Sequence, residues 1–149
     1  MKITGVAPKI AVPTFLYIIG AAIIDYWKRP EYNITNSHYS IILIIGLILL
    51  LIGIVMVACS ARKILACFKN NKLAKDGLFK IFRNPMYAAY LIFIIPGISF
   101  ILNSWLVLLA VLLNCLLLIL LVKEEYKYLE EKFGDEYKKY LETVWFKFL

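Results

Sequence analysis

The sequence predicts an all-α protein embedded in a membrane, with four transmembrane helices and an amphipathic C-terminal helix. Three observations carry this. Hydrophobic residues make up 62% of the 149-residue chain, against roughly 45–50% in soluble domains. They gather in four runs near the ~20 residues that a helix needs to cross a bilayer. Lysine and arginine fall almost entirely on one side of the arrangement that those runs impose. A chain this short is expected to form a single membrane domain over residues 1–149, because it has too little interior to hide so much apolar surface.

The first predicted span covers residues 10–27 and ends in Asp25-Tyr26-Trp27-Lys28-Arg29, an interfacial pattern. No small-residue cleavage site follows it, so it is read as a retained segment. The second covers 39–61 and is rich in Ile and Leu. The third, 86–102, is short and interrupted by Pro96-Gly97. The fourth covers 104–122. Only Asn103 separates the last two, which predicts a tight helical hairpin. Unpaired backbone is not tolerated in hydrocarbon, so all four must be helices.

Counting Lys and Arg outside the spans gives two before the first, two in the first loop, seven in the second loop and six in the tail. The N-terminus, second loop and tail share a side and hold fifteen against two. That predicts cytosolic termini and a cytosolic polar site. The formal charge of +7 then matches loops beside anionic lipid, with no nucleic-acid-binding fold visible. In the tail, residues 123–149, apolar positions recur at three- and four-residue steps from Tyr126 to Val144, with Gly134 predicted to break or bend the helix. Trp145, Phe146, Phe148 and Leu149 are expected at the headgroup level. The tail reads as a surface helix, a wall over a site, or both.

Several chemistries find no support. Cys59, Cys67 and Cys115 lie within or beside apolar runs without metal or redox spacing, and His38 is a lone loop histidine. No metal site, glycine-rich phosphate loop or Ser–His–Asp set is present. Asn103 and Asn114 read as hydrogen-bonding glue between helices.

Two places could carry chemistry. The stretch from Asp76 to Tyr87 enters the third span. Asn84 precedes proline, which favours extended backbone. Pro85 suits the first helical turn. The free N–H groups of that turn form a site for a carboxylate or phosphate. Arg83 either adds positive charge there or snorkels to headgroups, and Tyr87 either joins the site or anchors the interface. The other place is Glu124-Glu125, leaving the fourth span. It either meets a cationic or hydroxyl-bearing ligand or pairs with Lys123 or Lys127. The hairpin brings both places to one membrane face.

Residues 73–144 resemble the isoprenylcysteine carboxyl methyltransferase and phospholipid methyltransferase family. The residues that carry the resemblance are Gly77-Leu78-Phe79, Arg83-Asn84-Pro85-Met86-Tyr87, Glu124-Glu125 and Phe133-Gly134-Asp135-Glu136-Tyr137 with Tyr140, in order and at matching spacing. The resemblance implies a membrane-embedded methyltransferase using S-adenosylmethionine at the cytosolic face. By position it implies cofactor contacts from Leu73, Ala74, Phe79, Arg83, Asn84, Pro85, Met86, Tyr87, Glu124 and Glu125. Lys123 and Tyr126 are candidates for substrate contact, and no catalytic residue is assigned. The resemblance also implies a lipophilic acceptor that enters from the bilayer. Carboxyl O-methylation of an isoprenylcysteine-like molecule leads, with phospholipid amine N-methylation or thiol methylation behind it. A non-catalytic membrane binding protein is the alternative of another class. Three departures stand out: Asn84 replaces the family histidine, Phe79 a tyrosine, and Leu121 the arginine of the prenylcysteine branch.

Overall fold

The computed structural model describes residues 6–147; Lys2, Phe148 and Leu149 lie outside the described residues. Six helical segments follow in order: α1 (Ala7–Trp27), α2 (Tyr39–Lys69), α3 (Leu78–Ile81), α4 (Pro85–Leu102), α5 (Trp105–Phe133) and α6 (135–143). Among the described residues there is no strand, only two isolated backbone bridges. α1, α2, α4 and α5 are long and apolar enough to cross a membrane. Their outer faces expose Leu16 and Ile19 on α1, Ile44, Ile48, Leu51 and Val55 on α2, and Leu112, Leu116 and Leu120 on α5. Such continuous apolar surface has no place in water and faces lipid.

Small residues set the packing. Gly46 of α2 meets Gly97 of α4 so closely that a Cβ on Gly97 would lie 2.9 Å from the Gly46 carbonyl oxygen. Helices associate in lipid through such close backbone approach. On the other side, Ile18 and Ala21 of α1 pack against Ile95, Val107 and Ala110. The Asn114 side-chain amide donates to Thr14 Oγ at 3.1 Å, tying α1 to α5.

Helix extents differ from the sequence reading: α1 begins at Ala7 and not at residue 10, and α5 continues past residue 122 to Phe133. α2 does not stop at residue 61 but continues through Arg62 and Lys63 to Lys69. Its 31 residues span about 46 Å at 1.5 Å per residue, well beyond a hydrocarbon core. Pro96-Gly97 does not interrupt α4 either. The turns from Ala89 to Ile94 widen into a π-helix, and the α-helix resumes at Ile95. A π-bulge accommodates the missing proline N–H without ending the helix.

The hairpin turn rests on Asn103 in the left-handed region at φ 55°. Its side chain accepts from the Thr35 N–H and donates to the Thr35 carbonyl. The 28–38 loop is thereby fastened over the turn, and the Arg29 guanidinium adds a bond to the Leu102 carbonyl. The opposite end carries the second loop, α3 and α6. It is called the basic face below.

Candidate active site at the start of α4

At the basic face the chain enters α4 through Asn84, whose backbone (φ −129°, ψ 74°) is non-helical as its place before proline requires. No side chain caps this helix start, which leaves the N–H groups of its first turn without a side-chain acceptor. Tyr87 points from that turn toward α5 and donates its hydroxyl to Glu125 Oε2 at 3.0 Å. Tyr87 is buried, and Glu125 is half-buried. The Val6 N–H, at the head of α1, also donates to the Glu125 carboxylate. Glu124 is exposed and pairs with Lys9 at 3.2 Å. The N-terminal end of α1 therefore lies against the acid pair, with Val6, Ile10, Tyr87, Leu91, Leu118 and Val122 packed as one cluster beneath it.

Beside this pair stands a second group. Asn84 donates its side-chain amide to the Tyr126 hydroxyl. The Arg83 guanidinium lies 3.2 Å from the Tyr126 ring centroid. It also donates through Nε (3.0 Å) and Nη2 to the Tyr137 hydroxyl. This is a fork geometry that only arginine supplies. Its own backbone N–H donates to the Phe146 carbonyl at 3.1 Å, and the Phe146 N–H donates to the Ile81 carbonyl at 2.8 Å. The last described residues thus run alongside 80–83 as a strap, with the Phe82 and Phe146 rings stacked at 5.3 Å.

Gly134 makes the strap possible. It breaks the helix at φ 49°, ψ −121°, a conformation open to glycine and hostile to side chains, and α6 then folds back toward α3. There Leu73, Phe79, Tyr137, Tyr140 and Val144 form a cluster. The Tyr140 hydroxyl donates to the Phe79 carbonyl at 2.8 Å. Burial pushes the phenols of Tyr137 and Tyr140 above their ordinary range, so both stay protonated at neutral pH.

Of the residues singled out in the sequence, Arg83, Asn84, Pro85, Tyr87, Glu124, Glu125 and Tyr126 gather at the α4–α5 junction. Met86 lines a groove between α1 and α4, beside Tyr87. Leu73, Ala74 and Phe79 lie in the α6 cluster and connect to the junction through Tyr137 and Arg83. Lys123 is exposed. Val6 and Lys9 are additions that no sequence signal marks, since they approach Glu125 and Glu124 from more than a hundred residues away. Tyr137 was visible as a position of the motif and of the amphipathic tail, but its bond to Arg83 was not.

Residues 40–136 match the phospholipid methyltransferase family. The chain belongs to that family. The match covers α2, the second loop, the whole junction and the break at Gly134. No curated protein and no solved structure matches the chain. The family is one of methyltransferases, and α1 and the strap lie outside the matched region.

Proposed function

We propose that the protein transfers a methyl group from S-adenosylmethionine to a lipophilic acceptor drawn from the bilayer, with its basic face in the cytosol. The observation that carries this reading is the juxtaposition of an uncapped helix start bearing Tyr87 with Glu125, two parts that lie far apart within the family match. The residues suit the cofactor. The N–H groups of the α4 start suit its carboxylate. The Glu125 carboxylate, with lone pairs beyond those used by Tyr87 and Val6, suits its ammonium or ribose hydroxyls. When bound, the cofactor supplies an already activated methyl group. The chain's part is then to align donor and acceptor and to exclude water. Tyr87 orients Glu125, and the apolar cluster under Val6 keeps the pocket dry.

For the acceptor, the junction favours a phospholipid amine over a prenylcysteine carboxylate. A carboxylate needs a cation to hold it. Arg83 is committed to Tyr137 and Tyr126, Lys9 is paired with Glu124, and Leu121 packs against the apolar cluster. An amine must shed its proton before attack, so its methylation rises about tenfold per pH unit below the amine pKa. A carboxylate acceptor gives a flat profile over the same range.

The test is calorimetric titration of the detergent-purified protein with S-adenosylmethionine, beside Glu125→Gln. Micromolar binding that the substitution weakens by about ten- to a hundredfold is expected for loss of a charged hydrogen bond. No binding to folded protein, in detergent and again in lipid nanodiscs, sinks the reading. Methyl transfer to phosphatidylethanolamine and to a farnesylcysteine analogue across pH then assigns the acceptor.

A further inference from the structure

The tip of α2 meets the end of α5 in a group of three aromatic rings around one cation. Phe68, next to the last residue of α2, is exposed. Tyr128 and Phe133 of α5 are half-buried. The Lys132 ammonium lies 4.9 Å from the Phe68 ring centroid, 5.4 Å from that of Phe133 and 5.8 Å from that of Tyr128. All three fall within the ~6 Å at which a ring face attracts a cation. Glu130 and Glu131 adjoin Lys132 in sequence but pair with Lys138 and Lys127 instead. Among the described residues, then, rings and not carboxylates hold this lysine. Lys132 is itself exposed, so the rings are reached from outside the protein.

A lysine ammonium is a compact, strongly hydrated charge and a poor match for aromatic faces. A quaternary ammonium carries methyl groups in place of N–H donors, and it is the cation that aromatic cages recognise. Rings so arranged rank ammonium groups by their methylation. The height of the site names the molecule that carries the ammonium. Phe68 sits in the last turn of the 31-residue α2, about 44 Å from Tyr39 along the axis. A bilayer with both headgroup layers is about 40–45 Å thick. A helix that starts at one surface therefore ends among the headgroups of the other. Lys132 lies seven residues after Glu125 on α5, two turns or about 10 Å farther along the axis.

We infer that Phe68, Tyr128 and Phe133 bind the quaternary ammonium of a phospholipid headgroup, which displaces Lys132 and frees it to pair with the headgroup phosphate. The exchange leaves every charge matched: the rings keep a cation, and Lys132 gains an anion. A primary ammonium brings the rings nothing that Lys132 does not already supply. The inference rests on the phospholipid-amine reading above for its ligand. It adds a second site beside the junction, one that holds the fully methylated product and passes over the unmethylated acceptor.

The experiment is native mass spectrometry of the full chain in a maltoside detergent, which carries no ammonium. The protein is titrated with lysophosphatidylcholine and with lysophosphatidylethanolamine of the same chain, and no cofactor is added. The choline lipid is expected to bind about five- to tenfold more tightly. Phe68→Leu, at an exposed position, is expected to bring the two affinities together. Glu125→Gln is expected to keep them apart. Equal affinities in the wild type overturn the inference, and so does a preference that survives Phe68→Leu. A preference lost in Glu125→Gln and kept in Phe68→Leu assigns the discrimination to the junction and overturns it as well. Free choline is expected to bind far more weakly than the lysolipid; equal binding makes the ligand a soluble ammonium and overturns the headgroup. If Phe68→Leu does not fold, Tyr128→Leu decides by the same comparison. Calorimetry with S-adenosylmethionine on the same preparation separates the two readings. A headgroup preference without cofactor binding sinks the methyltransferase reading and leaves the ring site standing. Cofactor binding with equal lysolipid affinities does the reverse.

Discussion

At the residue scale, Arg83 and the tail tyrosines show how a polar interface is closed against water. The guanidinium reaches Tyr137 by two N–H groups, faces the Tyr126 ring and lies 3.5 Å from the Lys147 carbonyl. Lysine offers one compact charge and no fork. Arg83→Lys is therefore expected to destabilise the fold by about 1–3 kcal/mol, the range for a lost charged hydrogen bond. It is also expected to speed proteolysis at the C-terminus, checked by thermal melting and limited digestion. The phenols make a separate prediction. Burial holds the Tyr137 and Tyr140 pKa values high in the folded protein, while in the unfolded chain they stay near about 10. The folded state thus keeps protons that the unfolded state releases, so their contribution is fully present below about pH 10 and declines as pH rises above it. Melting temperatures taken from about pH 8 to 11 should fall more steeply for the wild type than for Tyr140→Phe. Equal slopes would detach Tyr140 from that decline. Tyr140→Phe itself starts lower, because the Phe79 carbonyl loses its partner.

At the scale of elements, the helices were readable and their corrections have identifiable causes. Apolar runs fixed the existence of all four spans, because lipid permits no other backbone solution. The Asn103 turn and the break at Gly134 were likewise visible, each marked by a residue that tolerates positive φ. The end of α2 was not, since charged residues end a hydrophobic run without ending a helix. Nor was the π-helix before Pro96, because proline marks a disturbance in the ladder but not how the ladder repairs it. The approach of Gly46 to Gly97 lies between these cases, since only the contact itself distinguishes these glycines from Gly20. Gly97→Ala places a methyl 2.9 Å from the Gly46 carbonyl and should cost about 1–3 kcal/mol by forcing α2 from α4. Gly20→Ala meets nothing within 4 Å and should be neutral or slightly stabilising. A melting comparison of the two variants checks the packing, and equal effects would refute it.

At the scale of the molecule, the charge distribution and the fold make one claim together. The loop after α2, the α4 start and the tail share an end, and Lys75–Glu136 at 2.8 Å joins the loop to the tail directly. The 28–38 loop covers the hairpin turn at the other end. The site residues were legible as a set because several motifs fell on one end of a hairpin. The docking of α1 on Glu124 and Glu125 was not legible, because nothing local in Val6 or Lys9 encodes a contact so distant in sequence. The positive-inside rule predicts that an end carrying most of the lysine and arginine faces the cytosol, the side on which the proposed reaction needs its soluble methyl donor. Single cysteines at Asn71 and at Asn36, in a variant lacking Cys59, Cys67 and Cys115, convert the claim into a measurement. Both positions are in loops at opposite ends and outside every helix. In sealed cells, a membrane-impermeant maleimide should label the cysteine at position 36 and reach position 71 only after the membrane is opened. The reverse pattern would invert the molecule, put the Tyr87–Glu125 junction on the side without the cofactor, and remove the proposed reaction even with the site geometry unchanged.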